Sequence, residues 1–415
     1  MVTTRIDAGS PERRSPARSM GLLAVLGALT AVGPLAIDMY VPGFPSMGAS
    51  LHTGSSSVQL TMTAFLAGLV AGQLVFGPMS DSLGRRRLLL CGCVGFAVLS
   101  AACAFAPTAQ VLVAARFFQG AAGAIGMVLA RAVLTDLFAG PELPRYFAVL
   151  SQILGVAPIA APVLGGAVLS VAEWRAIFVF LAAVGVALLL AVVWRVPETL
   201  PTERRRNEGI AATFRAMGRL AGNRAYLGYV LVLGFSSGAM FSYVGGSSFV
   251  FEKVHGVTSG LYSLIFASNA LGLLLSGGVF GRLSRRFSVN SLLSWAVAVS
   301  IAAALAQLVL VLTLGETLAG TWLTLFVTLF GVGTIFPASM SLGQSVGRDA
   351  PGAASALLGG VQFLLGAVGS PLVGFFGEGS STPMAAVMLG ALCLAALALL
   401  TLARPWRLSG ETAPH

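Results

Sequence analysis

Several ionisable side chains stand inside apolar runs, where a charge is expensive, and two of them fall toward the outer halves of their runs. Asp38 lies in Ala36-Ile37-Asp38-Met39-Tyr40-Val41-Pro42, and Arg116 opens Arg116-Phe117-Phe118-Gln119-Gly120. An arginine at the centre of a membrane helix costs about 2.5–3.5 kcal/mol on insertion scales, so such residues face a cavity and find a partner. Burial disfavours a charged carboxylate, and a neighbouring arginine favours it. Asp38 and Arg116 are therefore the expected proton-coupling pair, able to move a proton when a third molecule disturbs them. Around them, Tyr40, Gln59, Gln119, Gln152, Tyr243, Tyr262, Asn269, Phe336 and Gln362 place polar or aromatic groups within apolar runs. A largely apolar cavity with a few polar groups suits a lipophilic ligand, so these residues are the expected lining.

Other chemistries find no constellation. The three histidines, His52, His255 and His415, fall outside the apolar runs, and no H-E-x-x-H or G-x-S-x-G occurs. Gly120, Gly123 and Gly126 recur every third residue without the lysine of a phosphate loop, so they read as packing positions. Cys91, Cys93, Cys103 and Cys393 all sit in apolar runs, without metal-ligand spacing or a disulfide framework. The expectation is a non-enzyme with no metal or cofactor, driven by a gradient.

Composition says what must hold these side chains. Of 415 residues, 56% are hydrophobic and only 10% are charged, against about 25% charged in soluble domains. The net charge of +10 could suggest nucleic acid, but the basic residues cluster in short segments between apolar runs. A bilayer span needs about 20 apolar residues. The sequence predicts twelve, at 20–40, 57–79, 87–106, 110–137, 145–170, 175–195, 225–249, 259–281, 288–313, 320–345, 353–377 and 383–403. The first run reads as a span, not a cleaved leader, since it is long and lacks a small-residue cleavage site.

Arginine placement orients the spans. One side holds Arg5, Arg13, Arg14, Arg18, Arg85, Arg86, Arg87, Arg204, Arg205, Arg206, Arg215, Arg219, Arg224, Arg282, Arg285, Arg286, Arg348, Arg404 and Arg407; the other holds Arg175 and Lys253. This asymmetry predicts both termini in the cytoplasm of a bacterial inner membrane. The fold class expected is all-α and polytopic: a cytoplasmic tail (1–19), a six-helix bundle (20–195), a polar central loop (196–224), a second six-helix bundle (225–403) and a cytoplasmic tail (404–415). Part of the loop, Ala211–Leu220, reads as an amphipathic surface helix.

The halves look related. Gly77-Pro-Met-Ser-Asp81-Ser-Leu-Gly84-Arg85-Arg86 follows the second span, and Gly277-Gly-Val-Phe-Gly281-Arg-Leu-Ser284-Arg285-Arg286 follows the eighth. Two such repeats imply a site between the halves near the midplane. In the first copy Gly77 lets helices approach and Gly84 permits a tight turn. Asp81 is placed at the start of the connection, where it can cap a helix N-terminus. Arg85 and Arg86 can reach carboxylates at neighbouring helix ends, with Asp136 the expected partner, and these six residues form an expected cytoplasmic gate. In the fifth span, Gly155, Pro158, Pro162, Gly165 and Gly166 combine a bent helix with a smooth face.

These motifs carry a resemblance. The loop from Gly77 to Arg86 resembles the signature loop of the major facilitator superfamily, with Ser82 where a basic residue is usual and Gly281 in place of the acid in the second copy. Arg116-x-x-Gln119-Gly120 resembles the second signature. The Gly155–Gly166 run resembles the antiporter signature, with Ala161 in place of glycine. Ile37 to Pro42, Arg131 to Asp136, Trp174 to Phe178, and Pro197-Glu198-Thr199-Leu200 narrow the resemblance to bicyclomycin- and chloramphenicol-resistance exporters. A second membrane acid found in some relatives is Thr30 here. The resemblance implies a monomeric multidrug efflux antiporter. It would exchange lipophilic small molecules for protons by alternating access, with membrane lipid as its surroundings. Proton-coupled uptake of a small metabolite on the same fold stays open.

Overall fold

The structure is a computed structural model that describes residues 16–138, 142–200, 210–377 and 379–407. Among them, twelve helices are long and apolar enough to cross a membrane. We number these α1 (Pro16–Asp38), α2 (Ser55–Leu83), α3 (Arg85–Ala104), α4 (Ala109–Leu137), α5 (Glu142–Leu169), α6 (Arg175–Arg195), α7 (Arg224–Ser248), α8 (Ser259–Leu283), α9 (Val289–Leu314), α10 (Leu318–Val346), α11 (Pro351–Phe376) and α12 (Thr382–Ala398). Every predicted span coincides with one of them. The backbone reason is general: in lipid each N–H and C=O must be satisfied within its own segment, which a helix does. A helix at Ile210–Ala221 lies between the halves in sequence. Arg5, Arg13, Arg14 and Arg204–Arg206 lie outside the described residues.

The packing pattern repeats with an offset of six helices. In the first half α1 packs on α4 and α5, α2 on α4, and α3 on α4 and α6. In the second, α7 packs on α10 and α11, α8 on α10, and α9 on α10 and α12. Between the halves the principal contacts are α2 with α11 and α5 with α8, which exchange under the same pseudo-twofold. The arrangement is the all-α, pseudo-symmetric fold expected of two related bundles.

Local departures have local causes. Helix α2 runs on to Leu83, so Asp81 sits in its last turn and not at the start of a cap. The chain then reverses at Gly84, whose φ of 93° is a conformation open to glycine at little cost. Helix α1 ends at Asp38, and a turn at Val41–Gly43 leads into a short helix, Phe44–Ser50. Beyond α7, the turn Phe249–Val254 is wider than an α-helix: the His255 N–H donates five residues back to the Val250 carbonyl at 3.1 Å.

The two ends of the bundle differ. At the arginine-poor end the halves are fastened together. Gln59 Nε2 donates to the Gly245 carbonyl (2.9 Å), the Gly374 N–H donates to Gln59 Oε1 (2.9 Å), and Thr63 Oγ1 donates to the Ala367 carbonyl (2.7 Å). At the arginine-rich end, a side chain built at Gly277, Gly278 or Gly281 of α8, or at Gly352, Gly359 or Gly360 of α11, would meet nothing within 4 Å. The cleft between the halves is therefore sealed by these hydrogen bonds at the arginine-poor end.

Loops at the sealed end are tied by a carboxylate. Glu316 accepts from both the N–H and the hydroxyl of Ser381, each at 2.7 Å, and lies 3.9 Å from His255 Nε2. Burial pushes the His255 imidazole below its ordinary value, and Glu316 pulls it the other way. A histidine with a depressed folded pKa binds fewer protons in the native state. Its cost is absent at neutral pH and grows as pH falls below the unfolded value of about 6.5. His255→Gln is expected to lose less thermal stability than the wild type between about pH 7 and about pH 5. Equal losses in a melting assay would show that His255 does not set this slope.

Candidate functional site

Asp38 ends α1 at the interface between the halves and is 7% exposed. Among the described residues it makes no hydrogen bond and no ion pair. It lies within electrostatic reach of Tyr243 on α7 and Tyr262 on α8, both in the opposite half. Those two residues belong to an aromatic wall. The Tyr243 ring stacks on Phe266 at 5.2 Å, and Phe266 meets Tyr262 edge-on at 6.0 Å. Asn269 Nδ2 donates to the Tyr243 hydroxyl at 3.1 Å, while Asn269 Oδ1 is buried without a partner among the described residues. A buried amide oxygen left unpaired is costly and signals a ligand or water position. The arrangement is a carboxylate facing an apolar aromatic wall with one free acceptor.

Arg116 does not pair with Asp38. Its side chain is fully buried in the first half; Nη1 donates to Gln119 Oε1 (2.6 Å) and Nη2 to the Ala36 carbonyl (2.9 Å). The guanidinium lies over the Phe65 ring at 4.2 Å and the Tyr40 ring at 4.3 Å. The last carbonyls of a helix lack intrahelical partners, and a cation there is favoured by the helix dipole. Arg116 thus caps the end of α1 two residues before Asp38. The expected charge pair is corrected to a backbone cap.

Other expected lining residues divide. Tyr243, Tyr262 and Asn269 come together, buried, on α7 and α8. Tyr40 is fully buried in the first half, with its hydroxyl on Thr61 Oγ1 at 3.1 Å, so it packs and does not line. Gln119 is held by Arg116 and donates to Ser100 Oγ at 2.6 Å, again inside that half. Gln59 is the latch already described. Gln152 is exposed on α5, and Phe336 and Gln362 are half-buried on α10 and α11. A groove of about 620 Å³ between α7, α11 and α12, lined by Phe235, Leu365, Phe376 and Leu394, contains none of the expected residues; its exposed apolar walls suit acyl chains.

The latch makes a measurable prediction. Gln59→Leu removes both bonds at about 0.5–1.5 kcal/mol each. At about 1.4 kcal/mol per decade, the closed-to-open ratio should fall roughly 5- to 150-fold. Spin labels at His52 and Gly379, both exposed at this end, should then show a longer distance component. An unchanged distribution would mean that the apolar contacts alone hold the seal.

At the arginine-rich end Arg85 Nε contacts Asp136 Oδ2 at 3.2 Å, and its Nη1 donates to Ser80 Oγ. The cap of α3 comes from Glu198, which accepts from the N–H groups of Arg85 (2.9 Å) and Arg86 (3.3 Å). Thr199 Oγ1 donates to Asp136 Oδ2 at 2.8 Å, and Arg86 Nη2 donates to the Val193 carbonyl at 2.9 Å. The Asp81 side chain lies outside the described residues. Among the described residues these contacts join the first bundle to the start of the central loop, so they fasten the ends of α2, α3, α4 and α6 to that loop. Sequence reasoning missed Glu198 as the cap; its signal was an acid three residues beyond the end of an apolar run and next to a proline.

Helix α5 approaches its neighbours closely. A methyl group at Gly165 would collide with the Met39 carbonyl, and one at Gly166 with the Ser263 hydroxyl. Pro158 and Pro162 lie within the same helix, and a side chain at Gly155 would meet Leu274 of α8 at 2.7 Å. This face therefore abuts both α1 beside Asp38 and α8 beside Tyr262. Among the described residues no group of His, Cys, Asp and Glu could hold a metal ion, and the four cysteines are free thiols.

Comparison with known proteins places this geometry. The family model of the Major Facilitator Superfamily matches residues 26–370. The chain is 38% identical over 387 residues to the uncharacterized MFS-type transporter YdgK of Bacillus subtilis (strain 168), covering 93% of this chain and 96% of that protein. It is 29% identical to a bicyclomycin resistance protein homolog of Haemophilus influenzae, covering 91% and 94% of the two chains. Among solved structures, a bacterial homolog of the human lysosomal transporter Spinster, inward-facing and occupied, superposes with a TM-score of 0.75 at 16% identity, covering 98% of this chain and 100% of that one.

Proposed function

The chain belongs to the Major Facilitator Superfamily and is a bacterial multi-pass membrane transporter, not an enzyme; from that premise we propose that it exports lipophilic small molecules in exchange for protons. The observation that carries this reading is Asp38, a buried carboxylate that makes no ion pair among the described residues and lies within electrostatic reach of Tyr243 and Tyr262 in the opposite bundle. A buried, unpaired carboxylate must be neutralised. A proton does so, and a substrate that displaces it sends the proton out. Export is favoured over uptake by the smooth, proline-bent face of α5 and by the 29% identity to a bicyclomycin resistance homolog.

Arginine asymmetry supports cytoplasmic termini, with bundles at 20–195 and 225–403 joined by the loop 196–224. The sealed arginine-poor end is then the outer one, and the cleft opens inward. Substrate and proton would exchange at Asp38 as the Gln59 latch opens and the arginine-rich ends close. Asn269 and the Tyr243–Phe266–Tyr262 wall would bind the substrate. Gly77, Gly84, Arg85, Arg86 and Asp136 would hold the cytoplasmic ends of the first bundle as it rocks.

The test uses inverted vesicles containing the full chain, energised by respiration, with a lumenal pH dye. Chloramphenicol is expected to release protons from the lumen in vesicles with the protein and not in those without it. Proton movement in the same direction as a metabolite would replace export with uptake. Silence across chloramphenicol and a panel of lipophilic cations would defeat the exporter reading.

A further inference from the structure

A second carboxylate lies beyond the cleft, at the sealed end of α7. Glu252 sits in the wide turn Phe249–Val254. Such turns are frequent at functional sites. Glu252 Oε2 accepts from the Ser259 hydroxyl of α8 at 2.6 Å, whereas Oε1 is buried with no partner among the described residues. The neighbouring charges are directed to other groups. The Lys253 ammonium lies over the Phe249 ring at 4.9 Å, and His255 faces Glu316.

Three residues beyond Ser259, on the same face of α8, stands Tyr262. Its hydroxyl shares a 2.8 Å hydrogen bond with Ser247 Oγ of α7, and both residues are fully buried. Tyr262 lies within electrostatic reach of both Glu252 and Asp38. A hydroxyl both donates and accepts, so it can take one proton and release its own. We propose that Glu252 is a second proton-carrying residue, loading Asp38 from the arginine-poor side through the Tyr262–Ser247 hydroxyl pair.

Each step moves one proton and no electrons. Glu252 becomes neutral on loading, the hydroxyl pair ends as it began, and Asp38 ends neutral with Glu252 again charged. Among the described residues Asp38 makes no hydrogen bond to Tyr262. The row is therefore open at that joint while the cleft faces the arginine-rich side, which prevents a leak. Movement of the halves that unseals the latch would close the joint. The direction of loading rests on the exporter reading; the existence of the row does not.

Two measurements on the full-length protein in lipid vesicles decide the matter. Infrared difference titration with pH is expected to show a carboxyl band that disappears in Glu252→Gln and remains in Ser259→Ala. With chloramphenicol as the probe, Glu252→Gln and Tyr262→Phe are each expected to slow drug-evoked proton flux at least about tenfold, the low end of what a positioned proton-transfer group contributes. Chloramphenicol counterflow without a proton gradient should stay at the wild-type rate in Glu252→Gln. Ser259→Ala, which removes only the hydrogen bond, should keep the flux. Wild-type flux in Glu252→Gln overturns the relay and leaves the exporter standing. Equal losses in Ser259→Ala and Glu252→Gln overturn it too, marking Glu252 as a structural staple. If the wild type moves no proton with chloramphenicol, the exporter reading fails for that probe, and the infrared titration still judges the relay: no titrating band lost in Glu252→Gln overturns it.

Discussion

Asp38→Asn is expected to abolish drug-evoked proton release and uphill export while leaving the protein folded and able to equilibrate substrate. Asparagine matches aspartate in size, and the carboxylate makes no hydrogen bond or ion pair among the described residues, so no packing is lost. What disappears is the site where proton and substrate compete. One charge crossing about 100 mV releases about 2.3 kcal/mol, which at about 1.4 kcal/mol per decade sustains a gradient of roughly 40-fold. Vesicles with the variant should let substrate reach equal concentrations on both sides and go no further. The comparison is steady-state accumulation with and without a protonophore: the wild type collapses from a gradient, and the variant is already flat. A variant that still accumulates substrate and still releases protons would place coupling on another group. Loss of counterflow with an intact melting transition would instead make Asp38 a substrate contact.

The spans and their sixfold offset were legible because lipid imposes a single rule on every segment: apolar surface outside and hydrogen bonds inside. Arg85 with Asp136 was legible too, since both stand at helix ends on the arginine-rich side of the first bundle. The Asp38–Arg116 pairing was not. Sequence places both on adjacent helices at similar depth, but a guanidinium has five donors and will turn to whichever acceptors lack partners. The unsatisfied Ala36 carbonyl at the end of α1 and the Gln119 amide oxygen outcompete a carboxylate that points across the cleft. Tyr40 lies two residues beyond the end of α1, and its hydroxyl meets Thr61 inside the first bundle. Glu252 escaped notice because the wide turn after Ser248 shifts the phase of the residues that follow, and hydropathy does not register such a shift. Gln59 looked like a pocket residue, yet a glutamine amide can bridge a backbone acceptor and a backbone donor at once, which is what the sealed end needs.

Arg116 supplies the test that separates a cap from a charge pair. Arg116→Ala leaves the Ala36 carbonyl and the Gln119 amide oxygen without their donors and opens a void under the Tyr40, Phe65 and Phe178 rings. Two charge-assisted hydrogen bonds at about 1.5–3 kcal/mol each put the loss at about 3–6 kcal/mol, a large share of any domain's stability. Arg116→Lys keeps the charge but replaces a planar fork by a single ammonium, so about half of that loss is expected. The double variant with Asp38→Asn is decisive. If Arg116 neutralised Asp38, removing the arginine alone would strand a buried charge, and adding Asp38→Asn would recover most of the stability. If Arg116 caps α1, the carboxylate is indifferent to it, and the two changes are additive to within about 0.3–0.5 kcal/mol. Melting of the four proteins in detergent measures this directly. Additivity supports the cap and makes Arg116 a positioning residue that holds the end of α1, and thus Asp38, against the cleft. Rescue by Asp38→Asn would restore the ion pair that the geometry does not show, and the proton would then be released by breaking that pair instead of by displacement from an isolated acid.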